Sequence, residues 1–301
     1  LADARHGRGD CVRGCEKYSG MWARNLYHGQ GFLMDERGIV YEGEWREGKF
    51  HGVGKHSRSG ETYTGEFWEG ERHGEGQVVR SAASKGGEEQ VADPLLGRES
   101  IFIGQWCAGK RHGHGTAIYQ RGEYEGEWLA GLRHGQGILS HGGYQLEGPW
   151  REGVPDESGQ HTLAYPDGAK YTGAIRWGAG TDAAGGPEGA AATAAPAAGA
   201  TQWARPEGRG LTKSPDGRLH DGQYRDGLPH GHGLEIDTDR SEYKGEFFRG
   251  QRHGRGQLQW PGEPAPQPVQ YEHGALLSGW TAAPAEEAPP AQQPAENPAT
   301  T

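Results

Sequence analysis

The stretch 41–54, Y-E-G-E-W-R-E-G-K-F-H-G-V-G, returns along the chain at a nearly fixed interval. Further copies open at Tyr63, Phe102, Tyr124 and Tyr243. Each carries Gly two places on, Trp or Phe four places on, then a turn Gly and a closing His-Gly-x-Gly. An earlier copy opens at Tyr18 and has Asn25 where the others have Gly. Tyr18, Tyr41 and Tyr63 follow one another at 23 and 22 residues, and Phe102 and Tyr124 at 22. A period of this size marks an array in which each unit buries its apolar face only against its neighbours.

Within one copy the pattern predicts a hairpin. Tyr41, Gly43 and Trp45 alternate with Glu42, Glu44 and Arg46. Period two puts rings and glycines on one face and charges on the other. Gly48 and Gly52 are expected to bracket a turn, because glycine takes positive φ without a Cβ clash. Gly52 and Gly54 then leave room on the return strand for a ring to lie flat on the backbone. The next turn is expected near Ser59–Gly60. A lone hairpin is marginal in water. Stacked hairpins bring rings together, each worth roughly 1.5–3 kcal/mol when buried. The expected fold is all-β: an elongated single-layer antiparallel β-hairpin repeat array, twisted and curved. About nine hairpins would span roughly 85 Å.

Composition narrows the classes. Glycine is 55 of 301 residues, with no strict G-X-Y period, so collagen is excluded. Only 33% of residues are hydrophobic, which argues against one large closed core, while ten Trp and twelve Tyr supply rings repeat by repeat. A net charge of −10 argues against nucleic acid as a partner and weakens attraction to anionic lipid. Three Cys make no disulfide framework, which points to a reducing, intracellular and cytoplasmic compartment. Cys11 and Cys15 lack a second pair of ligands nearby, so no zinc site is expected. No apolar run is long enough to span a bilayer. The chain opens on Leu1, and His6, Gly7 and Gly9 read as the tail of a repeat, so the sequence is expected to be a fragment.

Taken in order, residues 1–76 hold repeats, the first truncated, and 77–100 read as an inserted polar loop. Residues 101–178 hold repeats, the last two degenerate, with Asp156 in place of His. The Ala/Gly/Pro-rich run 179–206 is expected to be a flexible insert. Repeats resume over 207–260, a degenerate cap follows at 261–280, and 281–301 reads as a disordered tail.

The pattern Y-x-G-x-W-x-x-G-x-x-H-G-x-G closely resembles the MORN repeat, the membrane occupation and recognition nexus. The resemblance covers most of residues 5–257. It implies an elongated antiparallel β array similar to radial-spoke-head and other MORN-repeat scaffold proteins. Arrays of this kind also occur in junctional membrane proteins, in protist cytoskeletal scaffolds, and beside catalytic domains such as phosphatidylinositol phosphate kinases and a SET-type methyltransferase. The repeat therefore implies a scaffold rather than one job.

No residue set stands out for catalysis. The His-Gly histidines (His28, His51, His73, His112, His134, His230, His253) would stack about 10 Å apart, two strands per repeat, too far to share one metal. They read as hairpin-loop residues bonded to local backbone. The His-Gly-x-Gly strings lack the Lys and the following helix of a phosphate loop. Glu42 with Glu44, and Glu125 with Glu127, recur as a solvated face would, whereas an acid–base pair occurs once. No catalytic residue, cofactor or metal is expected. Tyr41, Trp45, Tyr63, Phe67, Trp106, Tyr124 and Trp128 read as sheet core, and, because a single layer leaves one face uncovered, also as candidate partner-binding aromatics for a helix or extended peptide in the concave face. Lys49, Arg72, Lys110, Arg111, Arg133 and Arg252, just before His-Gly, are the candidate contacts to acidic phospholipid. The leading expectation is a non-catalytic scaffold in an intracellular assembly, axonemal or cytoskeletal. The alternatives are a membrane-peripheral phosphoinositide adaptor and the regulatory array of a larger enzyme, with chemistry outside residues 1–301. Open sheet edges also suit a homodimer.

Overall fold

The computed structural model describes residues 4–81, 92–178 and 204–277. Every regular element among them is a strand: β1 Gly7–Arg13, β2 Glu16–Ala23, β3 Leu26–Met34, β4 Val40–Arg46, β5 Lys49–Arg58, β6 Glu61–Trp68, β7 Glu71–Arg80 and β8 Glu99–Cys107. Then come β9 Lys110–Tyr119, β10 Gly122–Leu129, β11 Leu132–His141, β12 Tyr144–Arg151, β13 Val154–Pro155, β14 His161–Ala164 and β15 Lys170–Arg176. The last are β16 Arg205–Lys213, β17 Leu219–Arg225, β18 Leu228–Ile236, β19 Glu242–Phe248, β20 Gln251–Gln259, β21 Gln267–Glu272 and β22 Ala275–Leu276. Apart from β13 and β14, each pairs antiparallel with its neighbours in the chain, so the described residues form one open meander. β13 and β14 lie along the same side of β12, two halves of one interrupted strand. β12, β14, β15 and β16 carry the sheet through the degenerate repeats without a break.

The turn near Ser59–Gly60 lies where expected, between the paired Arg58 and Glu61, but the hairpin tip of the repeat does not. Arg46 pairs with Lys49, so only Glu47 and Gly48 form the hairpin tip. Both have positive φ, 51° and 79°, the two-residue turn whose twist matches that of the strands. The same pair recurs at Glu69–Gly70, Ala108–Gly109, Ala130–Gly131 and Arg249–Gly250, and Asn25 (φ 69°) fills the glycine place in the first copy. Phe50 and His51 are therefore strand residues and not loop residues. Gly52 belongs to a bulge: Gly43 pairs with Gly54 while Glu44 pairs with His51.

The first insert leaves the sheet later and returns earlier than 77–100 implies, and the second both leaves and returns earlier than 179–206 implies. β7 runs to Arg80 and β8 starts at Glu99, and residues 93–97 form a closed turn that buries Leu96. Arg176 pairs with Arg205, so the second insert departs at a hairpin tip. Within 261–280, β21 and β22 extend the sheet by a small hairpin. The stretches 82–91 and 179–203 and the tail 281–301 lie outside the described residues.

The core is a ladder of rings on one face. Tyr41 lies flat over the glycine rows: a Cβ at Gly54 would sit 2.7 Å from its Cε2. Its hydroxyl donates to the Glu44 carbonyl at 2.8 Å. Tyr63 and Tyr124 repeat that bond to Glu66 and Glu127. Trp45 donates its indole N–H to the Gly31 carbonyl of the preceding repeat at 3.2 Å, and Trp128 does so to Gly115 at 2.9 Å. The rings meet edge to face, Tyr41 with Trp45 at 5.0 Å and with Phe67 at 5.3 Å. This is the arrangement favoured by the ring quadrupoles. A single-layer sheet thus covers its own aromatic face.

Candidate functional site

All seven aromatics proposed as partner contacts are core residues. Tyr41, Tyr63 and Tyr124 have no exposed surface, and Trp45, Phe67, Trp106 and Trp128 keep 5% or less. The expectation that some of these rings must line an open face is corrected. It fails because each ring lies on glycine backbone and under its neighbours instead of standing up from the sheet.

The residue before His-Gly completes that cover. It is Tyr27 or Phe50 in the first two full repeats, stacked on Tyr18 and Tyr41 at 3.7 and 3.9 Å. In four later repeats it is an arginine, and before His230 it is Pro229. Arg72 sits over Tyr63 and Trp106 at 5.0 and 5.2 Å, Arg111 over Phe102 and Trp128 at 4.5 and 4.8 Å, and Arg252 over Tyr243 at 5.0 Å. Arg133 covers Tyr119, Tyr124 and Trp150. A guanidinium stacks on a ring face as a ring does, and adds cation–π attraction.

These arginines are also paired with carboxylates. Arg72 meets Glu61, Arg111 meets Glu99 at 2.5 Å, Arg133 meets Asp93 at 2.8 Å and Arg252 meets Glu235 at 2.6 Å. Arg80 bridges Glu61 and Glu99, so Arg72–Glu61–Arg80–Glu99–Arg111 is a continuous chain of alternating charge. Burial pushes the Glu61 carboxyl up, but the guanidiniums of Arg72 and Arg80 outweigh it and hold it below its ordinary range. Of the six candidate lipid contacts, these four arginines are engaged with rings and carboxylates of the sheet. Lys49 is exposed and paired with Glu69 at 2.8 Å, and Lys110 is exposed at a hairpin tip.

The repeated glutamates have a local task. The Glu127 carboxylate accepts the Gln136 backbone N–H at 2.7 Å, and Glu66 accepts that of Glu75 at 3.2 Å. Gln105 and Gln223 do the same for His114 and His232. These are the bulge amides, which the opposite strand leaves unpaired. The His-Gly histidines pack on the following hairpin: His51 lies 4.8 Å from Trp68, and His230 lies 5.3 Å from Phe248. Among the described residues no group of three or more His, Cys, Asp or Glu converges as metal ligands would, and no helix is long and apolar enough to cross a membrane.

One buried histidine was not singled out by its pattern. His220 takes the ring place of tyrosine and is 6% exposed. It meets Tyr224 at 5.2 Å and Phe247 at 4.5 Å, joining the main ring cluster to that of Tyr243, Phe247 and Tyr271. Neither ring nitrogen has a hydrogen-bond partner, and burial pushes its pKa down to about 4. The sequence signal is the break in the tyrosine column.

Comparison with known proteins agrees with this geometry. The family model of the MORN repeat matches residues 18–38, 41–61, 63–79, 102–123, 124–142, 220–242 and 243–262. MORN repeat-containing protein 3 of Xenopus laevis is 29% identical over 111 residues. That alignment covers 36% of this chain and 33% of the relative, so the chain spans about a third of the relative's length.

Proposed function

Because this chain is built from MORN repeats, we propose that it is a non-catalytic scaffold, holding partner proteins in an intracellular assembly of the cytoskeletal or axonemal kind. One observation carries the reading. The repeated residues that could do chemistry or bind lipid are used by the sheet itself: rings as core, arginines as their covers, glutamates on bulge amides. What remains is a long face and two edges of strand, surfaces suited to protein partners. Partner contact is assigned to the face opposite the rings and to the hairpin tips, where Trp68, Leu129, Leu132 and Phe248 are exposed.

The test is cross-linking mass spectrometry on complexes isolated with the intact protein. The scaffold reading expects stoichiometric partners, with cross-links at outer-face lysines such as Lys55 and Lys244. Failure to find any stable partner would count against it, as would substrate turnover by the purified chain.

A further inference from the structure

The face opposite the rings is not evenly charged. Along the interiors of β6 to β12 it bears six glutamates and neither Lys nor Arg; the nearest cations, Lys110, Arg121 and Arg151, stand at turns. Glu66 and Glu127 serve the bulges and Glu75 accepts from Gln105. Glu123, Glu125 and Glu147 are exposed and have no ion pair among the described residues. Apolar residues stand beside them. Val79 pairs with Ile101, Ile101 with Ile118, and Gln77 with Ile103, which is 50% exposed.

Farther along, the same face turns basic. Lys170 of β15 pairs directly with Lys213 of β16, and Arg209 lies on the same strand face as Lys213. All three are exposed and unpaired among the described residues. Like charges opposite one another across a strand pair are destabilising unless an anion lies against them. Apolar residues again lie beside the charges: Leu211 is exposed, and Leu219, Leu234 and Ile236 are half-buried.

We infer that this face packs on the same face of a second copy, the acidic part of each chain lying on the basic part of the other. A two-fold axis near β12 and β14, between the two sheets, brings β10–β12 of one copy over β14–β16 of its partner, β10 and β11 lying on the basic β16 and β15. The same axis brings the apolar residues of β7–β9 over those of β17–β18. One operation therefore sets acid on base and apolar row on apolar row, with exposed Asp221 the one carboxylate among Leu211 and Leu234, and a two-fold interface makes every contact twice. Twisted sheets pack face to face about 10 Å apart. Two patches of roughly 25 by 15 Å per copy come to about 750 Å² a side, near the roughly 800 Å² of stable interfaces.

Sedimentation velocity of the intact chain at low ionic strength tests this. The wild-type protein should be dimeric at micromolar concentration. Both Glu125→Lys/Glu147→Lys and Lys170→Glu/Lys213→Glu should be monomeric, with circular dichroism unchanged. Mixed in equal amounts, the two double variants should form a heterodimer, because both patch pairs are then complementary; the fourfold variant should dimerise alone. Ile103→Asp should weaken the dimer at least tenfold. A monomeric wild type overturns the inference. So does a dimer indifferent to the charge swaps, which would instead indicate pairing of sheet edges.

Discussion

The first two full repeats and the repeats from β6 to β11 solve the same problem with different chemistry. In the first, Tyr27 and Phe50 lie flat on Tyr18 and Tyr41, and the cover is an uncharged ring. In the second, Arg72, Arg111 and Arg133 cover Tyr63, Phe102 and Tyr124 from the same place. The backbone, the glycine rows and the ring ladder hardly differ. Sheet geometry therefore specifies a flat cover of about ring size and leaves its polarity open. The polar choice has a consequence: each half-buried guanidinium needs a carboxylate, and Glu61, Glu99 and Asp93 provide it.

Removing the shared element should erase the distinction. Tyr41→Ala and Tyr63→Ala should each cost about 3–5 kcal/mol of local stability, equally in both regions. Hydrogen exchange resolved by hairpin reads this out, since a repeat array need not unfold in one step. Removing a cover should restore the distinction. Arg133, with a side chain only 8% exposed, leaves three rings uncovered and Asp93 unpaired. Arg133→Ala is expected to cost about 3 kcal/mol, more than Phe50→Ala, which strands no charge.

Acid should separate the regions further. His220 is neutral in the folded array with a pKa near 4, against about 6.5 when unfolded. Its contribution is complete above about pH 6.5 and is lost as pH falls toward 4, up to about 3 kcal/mol. Exchange in β17–β19 should accelerate over that window, and His220→Phe should abolish the effect. A smaller loss is expected at Glu61, whose carboxyl is held below its ordinary value. The stability it gives is present above that value and fades as pH drops below it. β6–β8 should then loosen while β2–β5, which lack such a pair, do not.

Much of this was legible in the sequence. The alternation Tyr41, Gly43, Trp45 gave the ring face, and the fixed spacing gave the meander. The covers are not legible there, because a turn spanning Gly48 to Gly52 puts Phe50, Arg72 and Arg133 in loops. The tip is two residues long, and a non-glycine such as Glu47 holds positive φ there, which residue type does not announce. A clue was present: the place before His-Gly is a ring at Tyr27 and Phe50 and an arginine at Arg72, Arg111, Arg133 and Arg252, and Pro229 is the exception. The bulge role of Glu127 depends on strand register and could not be read from spacing. The division of acid and base along the opposite face appears only when strand register sorts alternate residues of β6–β12 and β15–β16 onto one face.

The central claim is that one place in the repeat accepts either a ring or a guanidinium. Hydrogen exchange of β6–β7 in Arg72→Phe beside Arg72→Ala tests it most directly. Glu61 keeps Arg80 in both variants, so only the cover changes. The account predicts that Arg72→Phe stays within about 1 kcal/mol of wild type, while Arg72→Ala loses about 2 kcal/mol. Equal loss in the two variants would mean that the ion pair, and not the cover, holds the repeat together.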